Sequence, residues 1–266
     1  MEPNKLNIIV CIKQVPGAAS VEIDSETGVL KREGVEAKLN PYDLFAIEAA
    51  MTLAEKTAGG QVTAVSMGPP QARNALLEAI YMGAEQAVLI SDNRFAGSDV
   101  LATAYTLSQA ISANGYDLII CGKQTTDGDT AQVGAELAEF LGIPHATGIL
   151  SITPEEGGVV VMSSQDSHIV TLYIPLPCLL CMDGGVNTPR LPSYKRKRAL
   201  IADPVRLMTL ADFENQDEKY YGLSGSPTQV ERTFVPVSTV SHETITGNGA
   251  ELAKRLTAVL LERKFI

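Results

Sequence analysis

Four short apolar runs in the first 145 residues are each followed by a turn and by a segment with helical periodicity. The runs are apolar almost throughout, which is typical of strands buried on both faces of a parallel sheet. Alternation of strands and helices at this spacing predicts an α/β fold, a doubly wound and mostly parallel sheet with right-handed crossovers. The runs lie at Asn7–Lys13, Gln61–Ser66, Gln86–Ser91 and Asp117–Cys121.

Helix start and stop signals separate these runs. An Asn-Pro pair at residues 40–41 predicts an N-cap followed by Pro at the first helical position. Gly83 and Gly142 are the expected C-caps of the second and fourth helices. Ser98 is the expected N-cap of the third helix. The long first crossover also contains a predicted surface hairpin at about residues 20–31.

The pattern changes after Pro144. Strand-like segments follow in hairpin succession and are expected to extend the sheet or to pack beside it. From Asp203 the composition loosens, and only residues 249–261 regain a helical period. The sequence therefore predicts an α/β domain over residues 1–202 and an extended C-terminal arm over 203–266 that ends in a helix. Such an arm needs a surface to lie on, either of this domain or of a partner subunit. The strand-like segments are Gly148–Thr153, Gly158–Ser163, Ile169–Ile174 and Cys178–Cys181.

Composition argues against several classes of protein. With 21 Lys and Arg against 31 Asp and Glu, the net charge of −10 is a poor match for nucleic acid or an anionic membrane. No apolar run reaches the roughly 18 residues of a membrane helix. The N-terminus lacks the features of a targeting segment, and the cysteines look like buried thiols, so we expect a cytoplasmic protein. The scattered histidines and the single Cys178-x-x-Cys181 pair predict no metal site, and no nucleophile–base set predicts a catalytic residue.

Sheets of this class bind ligands at the carboxyl ends of their strands. The segments expected there are Cys11–Lys13, Ser66–Pro70, Ser91–Asp92 and Gly122–Gly134. The last, GKQTTDGDTAQVG, leaves a buried strand and enters a helix N-terminus, whose free N–H groups favour phosphate. Its two carboxylates oppose phosphate and would instead cap the helix or bind a ribose hydroxyl. A capped turn without any ligand is the alternative.

Together, these segments closely resemble the β subunit of electron-transfer flavoproteins. The matches run in order over nearly the whole chain: VCIKQVP at 10–16, LNPYD at 39–43, VSMGPPQ at 65–71, MGAEQAVLISD at 82–92, GKQTTDGDTAQVG at 122–134 and VNTPR at 186–190. The resemblance implies a Rossmann-like domain that binds an adenine nucleotide. It also implies a heterodimer with an α subunit, which the C-terminal arm wraps, and electron transfer with an acyl-CoA-dehydrogenase-like flavoenzyme.

The resemblance implies a nucleotide in the β subunit, AMP in the respiratory branch and a second FAD in the electron-bifurcating branch. The DGDTAQVG form of the turn resembles the bifurcating branch, so we expect FAD, with AMP as the alternative. That branch implies NADH as electron donor and ferredoxin or flavodoxin as one acceptor. Within it, Lys123 and Gln124 would stabilise reduced flavin, and a helix N-terminus at Asp129–Gln132 would hold pyrophosphate. The implied contacts are Cys11, Asn40, Ala64, Val65, Ser66, Met67, Gly68, Lys123, Gln124, Thr125, Thr126, Asp127, Gly128, Asp129, Thr130, Ala131, Gln132, Val133 and Gly134.

The family further implies a partner-recognition loop, which maps here to residues 181–192. Val186 is the expected hydrophobic anchor, with Asn187 and Arg190 beside it, and a buried loop residue is the alternative for Val186. The basic run Lys195–Arg198 is interpreted as a solvated turn of helix, with an anionic partner site as the alternative. A regulatory module that binds an adenine nucleotide without redox work is the competing class of function.

Overall fold

The computed structural model describes residues 5–17, 37–57, 59–231 and 243–266. The hairpin predicted at about residues 20–31 lies outside the described residues. The strands are β1 (Asn7–Cys11), β2 (Gln14–Pro16), β3 (Ala37–Leu39), β4 (Gln61–Met67), β5 (Gln86–Ile90), β6 (Leu118–Gly122), β7 (His145–Glu155), β8 (Gly158–Gln165), β9 (His168–Pro175), β10 (Cys178–Met182) and β11 (Val205–Met208). The α-helices are α1 (Pro41–Lys56), α2 (Arg73–Met82), α3 (Val100–Ser112), α4 (Val133–Leu141), α5 (Tyr194–Ala199) and α6 (Gly249–Glu262).

A nine-stranded mixed sheet organises the chain, in the order β11-β5-β4-β1-β6-β10-β7-β8-β9. The strands from β11 to β7 in this order run parallel, and β8 and β9 continue the sheet antiparallel. Helices α1 and α2 bury their apolar residues on one face, and α3 and α4 bury theirs on the other. The predicted doubly wound α/β fold is confirmed. The strand order reverses between β1 and β6, which is therefore the topological switch point.

One prediction about the strands is wrong. The hairpin succession holds for β7, β8 and β9, but β10 leaves it and lies between β6 and β7, parallel to both. All five residues of β10 are buried. A strand that is apolar on both sides needs neighbours and helices around it, so it takes an interior position in the sheet.

The predicted caps hold at three of four helix ends. Asn40 occupies the N-cap of α1 with Pro41 behind it, although its side chain does not cap the helix. Gly83 and Gly142 follow α2 and α4 as expected. The N-cap of α3 is Asp99 and not Ser98, because Asp99 Oδ1 accepts the N–H of Ala102 at 3.0 Å. The Ser98 hydroxyl instead donates to the Phe95 carbonyl.

The segment assigned to the C-terminal arm begins on the sheet itself. Strand β11 pairs with β5 at the sheet edge, so the boundary at residue 202 separates this strand from its sheet. Beyond it, the Phe95 ring stacks on Phe213 and also contacts Tyr221, with centroid separations of 5.5 Å. Helix α6 forms where expected, but none of its residues is buried. Within the described ranges, no helix combines the length and apolarity needed to cross a bilayer.

Candidate functional site

A cleft of about 1920 Å³ opens at the carboxyl ends of the strands, across the switch point between β1 and β6. Its walls come from the ends of β1, β4, β5 and β6, from β11, and from the starts of α3 and α4. The position agrees with the rule for open α/β sheets. Small-molecule pockets usually measure roughly 300–1000 Å³, so this cleft has room for a dinucleotide.

Most of the predicted contact residues line this cleft, including every residue from Lys123 to Gly134 except Asp129. Asn40, Ala64 and Ser66 are fully buried beside it and are not part of its surface. Asp129 is exposed, and its carboxylate accepts a hydrogen bond from Gln124. The predicted residues on the cleft surface are Cys11, Val65, Met67, Gly68, Lys123, Gln124, Thr125, Thr126, Asp127, Gly128, Thr130, Ala131, Gln132, Val133 and Gly134.

The loop between β6 and α4 has an irregular backbone that delays the start of the helix. Asp129 and Ala131 both adopt φ of 57°, a left-handed conformation that is uncommon outside glycine. Helix α4 consequently begins at Val133, later than the predicted N-terminus at Asp129–Gln132. The Gln132 side chain makes no capping hydrogen bond. The first-turn N–H groups of α4 are therefore left without a side-chain cap, as in an anion-binding helix start.

Asn40 holds this loop from the start of α1. Its Nδ2 donates to the Gln124 carbonyl at 2.8 Å, and its Oδ1 accepts the N–H of Thr126 at 3.3 Å. The side chain predicted to cap α1 thus hydrogen-bonds to the loop through both of its polar atoms. This explains why α1 lacks a side-chain cap, and it links the LNPYD segment to the GKQTTDGDTAQVG segment.

The two lysines nearest the loop are paired with carboxylates. Lys13 Nζ lies 2.8 Å from Asp127, and Lys123 Nζ lies 2.9 Å from Asp183. Burial raises the pKa of each carboxyl, but the hydrogen bond from its lysine and other contacts outweigh burial and leave each pKa below its usual value. Because these charges are compensated, a phosphate here would rely mainly on backbone N–H groups.

Asp43, in the first turn of α1, is only 4% exposed. Its Oδ2 accepts the N–H of Lys13 at 2.7 Å. A Cβ on Gly122 would clash with Asp43 Oδ1 and would lie 2.9 Å from the Tyr42 carbonyl carbon. Burial raises the pKa of Asp43 to about 7, against the opposing effects of hydrogen bonding and of the Lys13 charge.

Three cysteines form a row beneath the cleft. Cys11 on β1 pairs in register with Cys121 on β6, which pairs in register with Cys181 on β10. The hydrogen bond with Cys11 and burial raise the pKa of Cys121, against an opposing hydrogen bond with Cys181. The hydrogen bond with Cys121 and burial raise the pKa of Cys181. Thiols held in the protonated form are poor nucleophiles. The row therefore offers close packing at the carboxyl ends of these central strands and not covalent chemistry.

The predicted recognition loop lies against α1, outside the cleft. Val186 is partly buried and packs against the core, and Asn187 donates to the Phe45 carbonyl at 2.9 Å. Arg190 binds the carboxylate of Glu48, with Nε at 2.8 Å from Oε2 and a second nitrogen at 3.0 Å from Oε1. The next residue, Leu191, is 88% exposed. The sequence-based prediction did not include Leu191. The signal that could have found it is the position of an apolar residue next to Pro192 in an otherwise polar loop.

Sequence analysis also missed the contribution of the third helix to the cleft wall. Ser98, Asp99 and Val100 line the cleft at the start of α3. Asp99 Oδ2 accepts both the N–H and the hydroxyl of Thr228, at 3.0 and 2.7 Å. The capping aspartate therefore joins the cleft wall to the arm at Thr228. An acidic residue immediately before a helical period was the available signal.

Comparison with known families agrees with this arrangement. The family described as Electron transfer flavoprotein domain matches residues 27–206, which is more than half of the chain. The chain belongs to the electron transfer flavoprotein family. The resemblance inferred from the ordered sequence motifs is thereby confirmed.

Three relatives in this family match this chain along their full lengths. The chain is 42% identical over 262 residues to the electron transfer flavoprotein subunit beta of Thermoanaerobacterium thermosaccharolyticum, covering 98% of this chain and 100% of that protein. It is 38% identical over 261 residues to the subunit of the same name from Clostridium acetobutylicum, with the same coverage. It is also 38% identical over 263 residues to the caffeyl-CoA reductase-Etf complex subunit CarD of Acetobacterium woodii, covering 98% of this chain and 100% of CarD.

Proposed function

We propose that this chain is the β subunit of a heterodimeric electron transfer flavoprotein of the electron-bifurcating branch, with FAD bound in the cleft. The observation that carries the proposal is a cleft at the switch point whose helix start has no side-chain cap. The full-length similarity to subunits named beta supports the choice of subunit. Four free cysteines are consistent with work in the reducing cytoplasm.

The residues of the cleft fit a dinucleotide. The first turn of α4 can hold a pyrophosphate through N–H groups that no side chain occupies. Gly134 in that turn has no Cβ to clash with Cys181 Sγ, so the start of the helix lies directly against the carboxyl end of β10. The volume of about 1920 Å³ leaves space beyond an adenosine phosphate for a second ring system. These features support FAD over AMP.

When bound, FAD would accept a hydride from NADH and pass its electrons on one at a time. One electron would go to ferredoxin or flavodoxin. The other would go through the α-subunit FAD to an acyl-CoA-dehydrogenase-like enzyme that reduces an enoyl-CoA. The chain's own residues would bind and orient the group. Lys123 and Gln124, on the cleft surface, would lie near the flavin, and Lys123 is held by Asp183. No side chain of the cleft need act as an acid or base, because the chemistry belongs to the cofactor.

Docking of the dehydrogenase-like flavoenzyme is assigned to the loop at residues 181–192. Leu191 is the better candidate anchor there, because it is exposed while Val186 packs on the core. Arg190 and Asn187 hold the loop on α1 and so present Leu191. Helix α6, with no buried residue, is the part of the arm that remains to wrap the α subunit.

The nucleotide content of the heterodimer tests the proposal. The chain is co-expressed with its α subunit, the purified complex is denatured, and released nucleotides are quantified by chromatography. About two FAD and no AMP per heterodimer, followed by NADH-dependent reduction of ferredoxin, is the expected result. One FAD and one AMP would instead assign the chain to the respiratory branch, in which dehydrogenases supply the electrons.

A further inference from the structure

We propose that Asp43 is a positioning residue of the nucleotide site, which fixes the ends of β1 and β6 relative to each other without contributing to the chemistry. The inference rests on the proposed nucleotide site and adds a role that neither the sequence motifs nor the comparisons assign. Asp43 lies at the switch point, where the two halves of the sheet diverge and where the cleft opens.

Two loops meet at this carboxylate. From the β1 side, Lys13 donates its N–H to Oδ2 at 2.7 Å, while Lys13 O accepts the N–H of Asn40 at 2.9 Å. From the β6 side, Gly122 packs against the same carboxyl group, with Asp43 Oδ1 directly beside its Cα. One side chain therefore accepts a hydrogen bond from the first loop and packs against the start of the second. Above its pKa of about 7 the carboxyl is ionised, and hydrogen bonds to a charged acceptor are stronger than those between neutral groups.

Asp43 and Gly122 are in tight van der Waals contact. The first turn of α1 lies so near β6 that a methyl group on Gly122 would clash with Asp43 Oδ1. Gly122 is also where the loop that runs along the cleft begins. A shift of Gly122 would therefore move Lys123 and the residues after it, and binding sites lose affinity when such supports loosen.

The charges around Asp43 define what its replacement changes. Lys13 is the cation that acts on it, and the Lys13 ammonium is itself paired with Asp127. The Cys121 thiol lies on the β6 side and is protonated. Replacing Asp43 by Asn removes a buried negative charge, which favours folding at alkaline pH. It also turns an N–H₂ group either towards the Lys13 N–H or against Gly122, and neither position offers it an acceptor, so the contact with one of the two loops is weakened.

The test compares Asp43→Asn with Asp117→Asn in the heterodimer at pH 8. Asp117 is a matched control, because its Oδ2 accepts the N–H of Asn7 at 2.8 Å and ties β1 to β6 at the opposite end of the strands. FAD and AMP are each re-added to nucleotide-stripped complex, and the dissociation constant and the unfolding temperature are measured. We expect Asp43→Asn to bind at least about tenfold more weakly while unfolding at the same or a higher temperature, and Asp117→Asn to bind as the wild type does.

Other outcomes overturn the proposal. Affinity within about twofold of wild type would show that the carboxylate does not position the site. A parallel loss of affinity and of unfolding temperature would assign Asp43 a purely structural role. If Asp43→Asn fails to assemble, amide hydrogen exchange of Lys13 in the stripped wild type decides. Free exchange of that N–H would show that Asp43 does not hold the loop and would refute the proposal. Wild-type complex that binds neither nucleotide would refute the proposed function itself.

Discussion

The buried carboxyl of Asp43 makes the stability of this protein depend on pH in a way that one substitution removes. Its pKa is about 7 in the folded chain, against an ordinary value of 3.8. Because the folded pKa is the higher one, folding is favoured while the group is protonated. The stabilisation is complete below the unfolded pKa and is lost as pH rises towards 7.

Between pH 5.5 and pH 7 the unfolded chain is ionised at this position while the folded chain is mostly protonated. That span of 1.5 pH units corresponds to a loss of about 2 kcal/mol in the free energy of unfolding. For a domain of this size it corresponds to a fall of about 4–8 °C in unfolding temperature. Above pH 7 the contribution of Asp43 levels off, as the folded chain, half ionised at pH 7, becomes fully ionised like the unfolded chain.

The assay measures unfolding temperature at half-unit intervals from pH 5.5 to 8 for wild type and for Asp43→Asn. Other titrating groups, including the histidines, are common to both proteins, so the difference between the two curves isolates position 43. We expect wild type to be the more stable at pH 5.5, relative to the variant, and to lose that advantage by pH 7. A difference that stays constant across the range would mean that Asp43 does not titrate there and that burial does not raise its pKa to about 7.

Three further substitutions test other contacts. Gly122→Ala should lower the free energy of unfolding by about 1–3 kcal/mol, because the added methyl group overlaps α1. Gly115→Ala is the control, since a Cβ there has no atom within 4 Å and should cost no stability. Equal midpoints of urea unfolding for the two variants would contradict the packing at Gly122. Arg190→Met should cost about 2–3 kcal/mol in the same assay, since it leaves the carboxylate of Glu48 without its charged donors, and a neutral effect would show that the pair is dispensable. Leu191→Ala should leave nucleotide content unchanged but raise the KM for the dehydrogenase-like flavoenzyme by about tenfold, and an unchanged KM would remove Leu191 as the anchor.

The sequence was sufficient for the parts of the fold that local patterns determine. Apolar runs predicted β1, β4, β5 and β6, and turn residues predicted the ends of their helices. The position of β10 was beyond such reasoning, because an apolar pentapeptide fits a hairpin and a central strand equally well. Strand β11 was missed because an edge strand of four residues, half of it exposed, has no distinctive pattern.

The candidate site divides in the same way. The loop from Lys123 to Gly134 was predicted to lie at the cleft because it follows a buried strand, and it does. The hydrogen bonds of Asn40 to that loop could not be predicted, since they join residues more than eighty positions apart. The row of Cys11, Cys121 and Cys181 depends likewise on the register of β10 against β6.

The interior position of β10 also governs the order in which the chain can fold during synthesis. Domains generally begin to fold from the N-terminus as they emerge from the ribosome. Strand β6 is complete at Gly122, yet its second neighbour in the sheet is not finished until Met182 has been made. Until then β6 presents an unpaired apolar edge, which is a template for pairing with another chain. Pairings this distant in sequence form slowly, so the strand that carries Cys121 and Gly122 becomes enclosed late, and nascent chains that stall before β10 would be the species most prone to aggregate.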